Sequence, residues 1–155
     1  MKQIKFKKWQ LIFFAIFAMA FLGLKLWQLR WPTATIELGE NRMQVQVART
    51  VYHQYRGLGK RDTLAPYDGL LFLYGEKARH GIVMREMRFP IDIVWLSDGV
   101  VVDIAPDVQA EPGVAESLLT VYRPRLPANL VLEVSAGWCT EHGVKIGSIL
   151  KLLED

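Results

Sequence analysis

IDIVWLSDGVVVDI, residues 91–104, is the stretch on which the fold turns. Two short apolar runs, Ile91–Leu96 and Val100–Ile104, flank Ser97-Asp98-Gly99. The runs are rich in β-branched residues and too short for a stable helix, and Asp-Gly between such runs predicts a tight hairpin. Pro90 disfavours helix at Phe89 and marks where the first strand begins. Working back toward the N-terminus, Gly81–Met84 is a short strand candidate. Leu70–Tyr74 follows an Asp68-Gly69 turn and reads as a buried strand. Thr50 can cap a short helix running to Arg56, with Gly57 at its stop. Thr35–Leu38 and Met43–Val47 alternate around Gly39-Glu40-Asn41-Arg42, a second hairpin signal. Toward the C-terminus, Ala105–Ser117 contains Pro106, Pro112 and Gly113 and reads as a long loop. Leu118–Tyr122 and Leu130–Val134 are strand candidates, Trp138–His142 is one helical turn closed by Gly143, and Ile149–Leu153 is the last strand. Many short strands with little helix predict a mainly β (α+β) domain over residues 33–155. It should be a compact antiparallel β-barrel or sandwich with one or two short helices.

Residues 1–32 have a different character. Leu11–Leu29 is a run of 19 residues broken only by Lys25 and Gln28. As a helix it would be about 28 Å long at ~1.5 Å per residue, close to the ~30 Å hydrocarbon core of a bilayer. Trp9, Trp27 and Trp31 flank the run, and Lys25 sits where its charge can reach the interface. Lys2, Lys5, Lys7 and Lys8 precede it and predict a cytoplasmic N-terminus. The expected arrangement is one transmembrane helix in an inner or plasma membrane, touching lipid through residues 11–29, with the domain periplasmic or extracellular. Cleavage after Ala20, in the small-x-small segment Ala18-Met19-Ala20, is the competing expectation and leaves the domain on the same side. Cys139 is a single cysteine and builds no disulfide framework.

The charge is equally uneven. Six of the 19 basic residues and none of the 16 acidic ones precede Pro32, so from Thr33 onward 13 bases face 16 acids, a net of −3. An acidic domain lacks the footprint that a phosphate backbone selects, which excludes nucleic acid as the expected partner.

Asp92 and Glu133 each interrupt an apolar strand, and a carboxylate buried there needs a partner or a wet face. Arg56 and Arg85 carry the forked guanidinium that would satisfy it. These four residues are the candidate ligand-binding set, with a structural ion pair as the plainer alternative. His80, Met84 and Met87 hold the imidazole and thioether groups that copper prefers, but their spacing of four and three is irregular for one strand face. The chain has no nucleophile elbow, Walker loop, dinucleotide fingerprint or zinc spacing, so no cofactor is expected.

Five stretches in order carry a family resemblance. They are VARTVYHQYRGLGKRDTL (47–64), DGLLFLY (68–74), HGIVMREMRFPIDIVWL (80–96), the DGVVVDI turn and strand, and VLEVSAGWCTEHGVKIGSIL (131–150). The chain resembles the family called domain of unknown function 192 (DUF192). The resemblance implies a small secreted or membrane-tethered domain, mainly β with a short helix, whose activity is not established. It also implies Met where this chain has Gly59, and Trp-Met-Lys-Asn-Thr where it has Val83-Met84-Arg85-Glu86-Met87.

The function expected from all of this is a non-enzymatic extracytoplasmic module that binds a small ligand, a glycan or an envelope protein. The alternatives are a hydrolase or lyase acting on an envelope polymer through Asp92 and Glu133, and a structural accessory subunit of an envelope complex.

Overall fold

A computed structural model describes residues 7–28 and 30–153. Lys2, Lys5 and Leu29 of the leader lie outside the described residues, as does the side chain of Trp27. The chain divides into two compact units, Met1–Arg30 and Trp31–Asp155.

The first unit holds α1, Lys8–Gln28. Apolar residues run all the way round it from Leu11 to Leu24, so it has no polar face to turn toward water. It is long and apolar enough to cross a membrane.

The second unit is built on one sheet. Its strands are β1 (Thr33–Leu38), β2 (Asn41–Ala48), β3 (Gly69–Ala78), β4 (Ile91–Ser97), β5 (Val100–Val108), β6 (Ala128–Ser135) and β7 (Leu150–Leu153). Two short helices complete it, α2 (Val51–Arg56) and α3 (Trp138–Glu141). The strand order is β5-β4-β6-β3-β2-β1-β7. All pairings are antiparallel except β2 with β3, whose connection passes through α2. The sheet is therefore mixed, and it curls into a half-barrel. A bridge between Val100 and Ile149, with backbone bonds from Val101 N to Ser148 O (2.9 Å) and Leu150 N to Gly99 O (2.7 Å), ties its two ends together.

Most expected elements form, for the reasons the residues supply. Asp98 and Gly99 take φ of 49° and 83°, the left-handed pair that a two-residue hairpin between β4 and β5 requires. Thr50 Oγ1 accepts the His53 N–H at 3.2 Å and caps α2. Three expectations fail. β5 continues through Pro106 to Val108 in place of the long loop from Ala105. β5 ends the order of the sheet, where a residue without an N–H costs no ladder bond. Gly81–Met84 and Leu118–Tyr122 are not strands. They meet only through an isolated bridge between Ile82 and Tyr122, and Leu118 lies exposed in a 3₁₀ turn, Glu116–Leu118.

Both faces of the central strands are buried. Leu70, Phe72, Ile91, Ile93, Trp95 and Val131 share one core with Leu58, Leu64, Ile82, Met84 and Met87. Leu71, Val94, Leu96, Leu132 and Val134 share the other with Ile36, Leu38, Met43 and Val45 of β1 and β2. Trp31 packs against the first core, its ring 4.3 Å from that of His53 and 4.9 Å from the Arg61 guanidinium. A chain starting at Trp31 is therefore expected to melt cooperatively. It should resist urea better than one starting at Thr33 by about 1–2 kcal/mol, the scale of a partly buried aromatic with a cation over its face.

Candidate functional site

The cleft of interest opens on the first core. Its volume is about 230 Å³. Gln54, Tyr55 and Arg56 reach it from α2, and Gly57–Gly59 from the turn that follows. Gly81–Arg85 and Met87 form a second wall, and Phe72, Tyr74, Ile91 and Glu133 come from the sheet. Gly59 lets the walls approach, because a Cβ there would stand 2.8 Å from Arg85 O and 3.2 Å from Arg56 O. The resemblance implies Met at this position, so the backbone here runs closer than that side chain would allow. Gly59→Ala is expected to cost roughly 1–3 kcal/mol in chemical denaturation, the scale of overpacking against backbone.

Three of the four candidate residues, Arg56, Arg85 and Glu133, line this cleft. Glu133 faces Leu70 on β3 and Ile93 on β4 across the ladder, so its side chain shares their face of the sheet. It is buried. Burial pushes its carboxyl up to about 8, and the Arg61 charge opposes the rise. Arg61 is itself lowered, by burial first and by the neighbouring Arg56 charge next. Tyr74 is pushed up to about 12 by burial and by Glu133. Arg85 is committed on the rim. Its Nε and Nη2 donate to Glu116 Oε1 at 2.9 and 2.5 Å, its Nη1 donates to Tyr55 O at 2.9 Å, and its guanidinium lies 4.1 Å from the Tyr55 ring.

Asp92 belongs elsewhere. It pairs with Val134 in the ladder, and in a period-2 strand that puts it on the face opposite to Glu133. Its carboxylate accepts three backbone N–H groups: Asp107 at 2.8 Å and Gly137 at 3.0 Å on Oδ1, and Cys139 at 2.9 Å on Oδ2. The sequence led us to expect an arginine beside it. The structure puts a nest of backbone donors there instead, tying the bulged end of β5 and the start of α3 to β4. Asp92 and Glu133 thus cannot converge on one substrate. Cys139, beside Asp92, is buried, and burial first and the Asp92 charge next push its thiol up to about 12, which disfavours the thiolate.

Of the copper candidates, Met84 and Met87 are buried in the core and line the cleft. His80 stacks on Tyr74, ring centroids 3.8 Å apart, and one of its ring nitrogens lies 2.9 Å from Glu76 O. Among the described residues no three His, Cys, Asp or Glu side chains group to hold a metal. The sequence reading missed Tyr74, Gln54 and Arg61. Tyr74 carried a signal, a polar tip ending an otherwise apolar run, but Gln54 and Arg61 sit in segments that read as ordinary surface.

Comparison with known proteins agrees with this architecture. No curated protein matches the chain. Two solved structures do. One is a Sinorhizobium meliloti 1021 protein, described provisionally as a transcription regulator, at 24% identity and a TM-score of 0.72. The match covers 80% of this chain and 96% of that one. This likeness is one of fold alone. The other is a protein of unknown function from Novosphingobium aromaticivorans DSM 12444, at 25% identity and a TM-score of 0.66, covering 78% of this chain and 84% of that one. The family model described as DUF192, Uncharacterized ACR, matches residues 34–152, nearly the whole of the second unit, and the chain belongs to that family.

Proposed function

We propose that the domain is a non-enzymatic binding module whose cleft takes a small ligand, and that α1 holds it at a membrane with the domain outside the cytoplasm. The observation that carries the reading is the cleft itself. It gathers apolar walls from Phe72, Met84 and Met87 with one buried carboxyl, Glu133, and Arg56 in its lining. Concave, largely apolar sites with a few convergent polar groups are where small molecules bind. A volume of about 230 Å³ suits a compact molecule or one sugar-sized group, not a polymer strand. The alternative of a hydrolase working through Asp92 and Glu133 loses its pair, because the two lie on opposite faces of the sheet.

The membrane part of the proposal rests on α1 and on the lysines before it. A periplasmically active reporter fused after Asp155 is expected to be active, and a cytoplasmically active one silent. The reverse pattern would overturn the topology. The binding part is tested by a fragment screen on the full chain in nanodiscs, followed through the backbone amides of Gly57, Gly59 and Gly81. Saturable shifts at these three glycines are expected. Shifts confined to other glycines would place the ligand site elsewhere.

A further inference from the structure

The charge around the cleft is one-sided. Arg56 and Arg85 line it, and Arg61 lies close enough to act on Glu133. Against these three cations stand Glu116, already paired with Arg85, and Glu133 itself. Lys60 and Glu86 pair at 3.1 Å and cancel. The other titratable groups at the cleft, Tyr55 of α2 and Tyr74 of β3, add no charge in their phenol forms. The balance is positive whether Glu133 carries its proton or not, on a domain whose net charge from Thr33 onward is −3.

The cations differ in availability. Arg85 spends its guanidinium on Glu116 and the Tyr55 carbonyl. Arg61 donates to Gln46 Oε1 at 2.5 Å and lies under the Trp31 ring. Arg56, the last residue of α2, is exposed and has no ion pair among the described residues. Glu133 supplies the complementary element. A buried protonated carboxyl is a hydrogen-bond donor, and its best acceptor is a ligand oxygen bearing negative charge.

We propose that the cleft selects a small organic anion, a carboxylate or phosphate monoester. Arg56 meets its charge, the Glu133 carboxyl donates to one of its oxygens, and Phe72, Met84 and Met87 carry its apolar body. This rests on the small-ligand reading above. One consequence is proton linkage. A ligand that accepts from the Glu133 O–H binds the protonated cleft, so affinity falls as pH rises through the titration of Glu133.

The test uses the full chain, labelled with ¹⁵N-glycine, in phosphatidylcholine nanodiscs. Four probes with one apolar body are titrated: benzoate, phenyl phosphate, benzamide and benzylamine. Benzoate or phenyl phosphate is expected to shift Gly57, Gly59 and Gly81 saturably, with the amide and the amine at least about tenfold weaker, a difference of one charge contact. Arg56→Gln, on the surface, should weaken the anions about tenfold. Wild-type affinity for benzoate should fall at least about tenfold between pH 6 and pH 9, and Glu133→Gln should abolish that dependence. If the anion in nature is a lipid headgroup, phosphatidylglycerol nanodiscs without probe will shift the same glycines. If it is a free solute, they will not. Benzamide or benzylamine binding as tightly as benzoate would overturn the anion proposal while leaving the cleft a small-molecule site. No probe shifting these glycines would overturn the small-ligand reading itself.

Discussion

Asp92→Asn is expected to destabilise the domain by roughly 3–5 kcal/mol, the scale on which a buried charge loses its matched partners. The carboxylate is fully buried and accepts from three backbone N–H groups on two separate segments. An amide in its place turns one acceptor into a donor. That NH₂ must then face either the Cys139 N–H, or the Asp107 and Gly137 N–H pair. Either choice leaves buried donors opposed, and each unsatisfied group costs about 1–3 kcal/mol. Asp92→Ala removes every acceptor and should cost at least as much. Urea denaturation of the chain from Trp31 measures both. Because Asp92 lies across the sheet from the cleft, the fraction that remains folded should bind cleft ligands as wild type does. A loss below about 1 kcal/mol, the worth of one ordinary hydrogen bond, would mean that the three-donor nest does not hold β5 and α3 to β4.

Glu133→Gln is expected to act in the opposite direction and only at higher pH. The carboxyl titrates near 4.5 when unfolded and is held up at about 8 in the folded domain. The folded state thus keeps a proton that the unfolded state has already released. The stability contributed by the protonated form is complete below pH 4.5 and is lost as pH rises through about 8. The slope across that window is ~1.4 kcal/mol per pH unit for one proton. Glutamine has the same shape and no proton to lose. The variant should match wild type at pH 4 and exceed it at pH 8.5 by on the order of 3–5 kcal/mol, read from paired urea melts. Superimposable pH profiles for the two proteins would show that Glu133 ionises freely and that water already reaches it.

Much of the fold was legible because its signals are local. Asp98-Gly99 sets the β4–β5 turn, Thr50 caps α2, and apolar runs of four to eight residues form β3, β4 and β6 wherever turn residues bound them. The errors came where a neighbour overrode the local signal. Pro106 reads as a loop residue, yet it sits on an edge strand where its missing N–H is not called on. Leu118–Tyr122 has the composition of a strand but meets only a single bridge partner; Leu118 and Val121 stay on the surface while Leu119 is buried. The parallel pairing of β2 with β3 follows from α2 carrying the chain across, and no residue in either strand announces it.

The sequence by itself determined that the chain has an apolar N-terminal helix, that one mainly β domain follows it, and that two carboxylates lie inside apolar strands. It also set the domain's negative charge against the leader's positive charge. Only the tertiary structure decided what those carboxylates meet. Asp92 and Glu133 look alike in the sequence, each an acid between aliphatic residues. The register of β4 on β6 sends one to each face of the sheet. One face offers Asp92 the backbone donors at the end of β5 and the start of α3, which hold it as an acceptor. The other offers Glu133 an apolar cleft, whose burial favours its proton against the opposing charge of Arg61. Which face an acid occupies depends on strand pairing, and what waits there for Asp92 comes from segments up to 47 residues away in the chain. Neither is encoded in the residues that flank it.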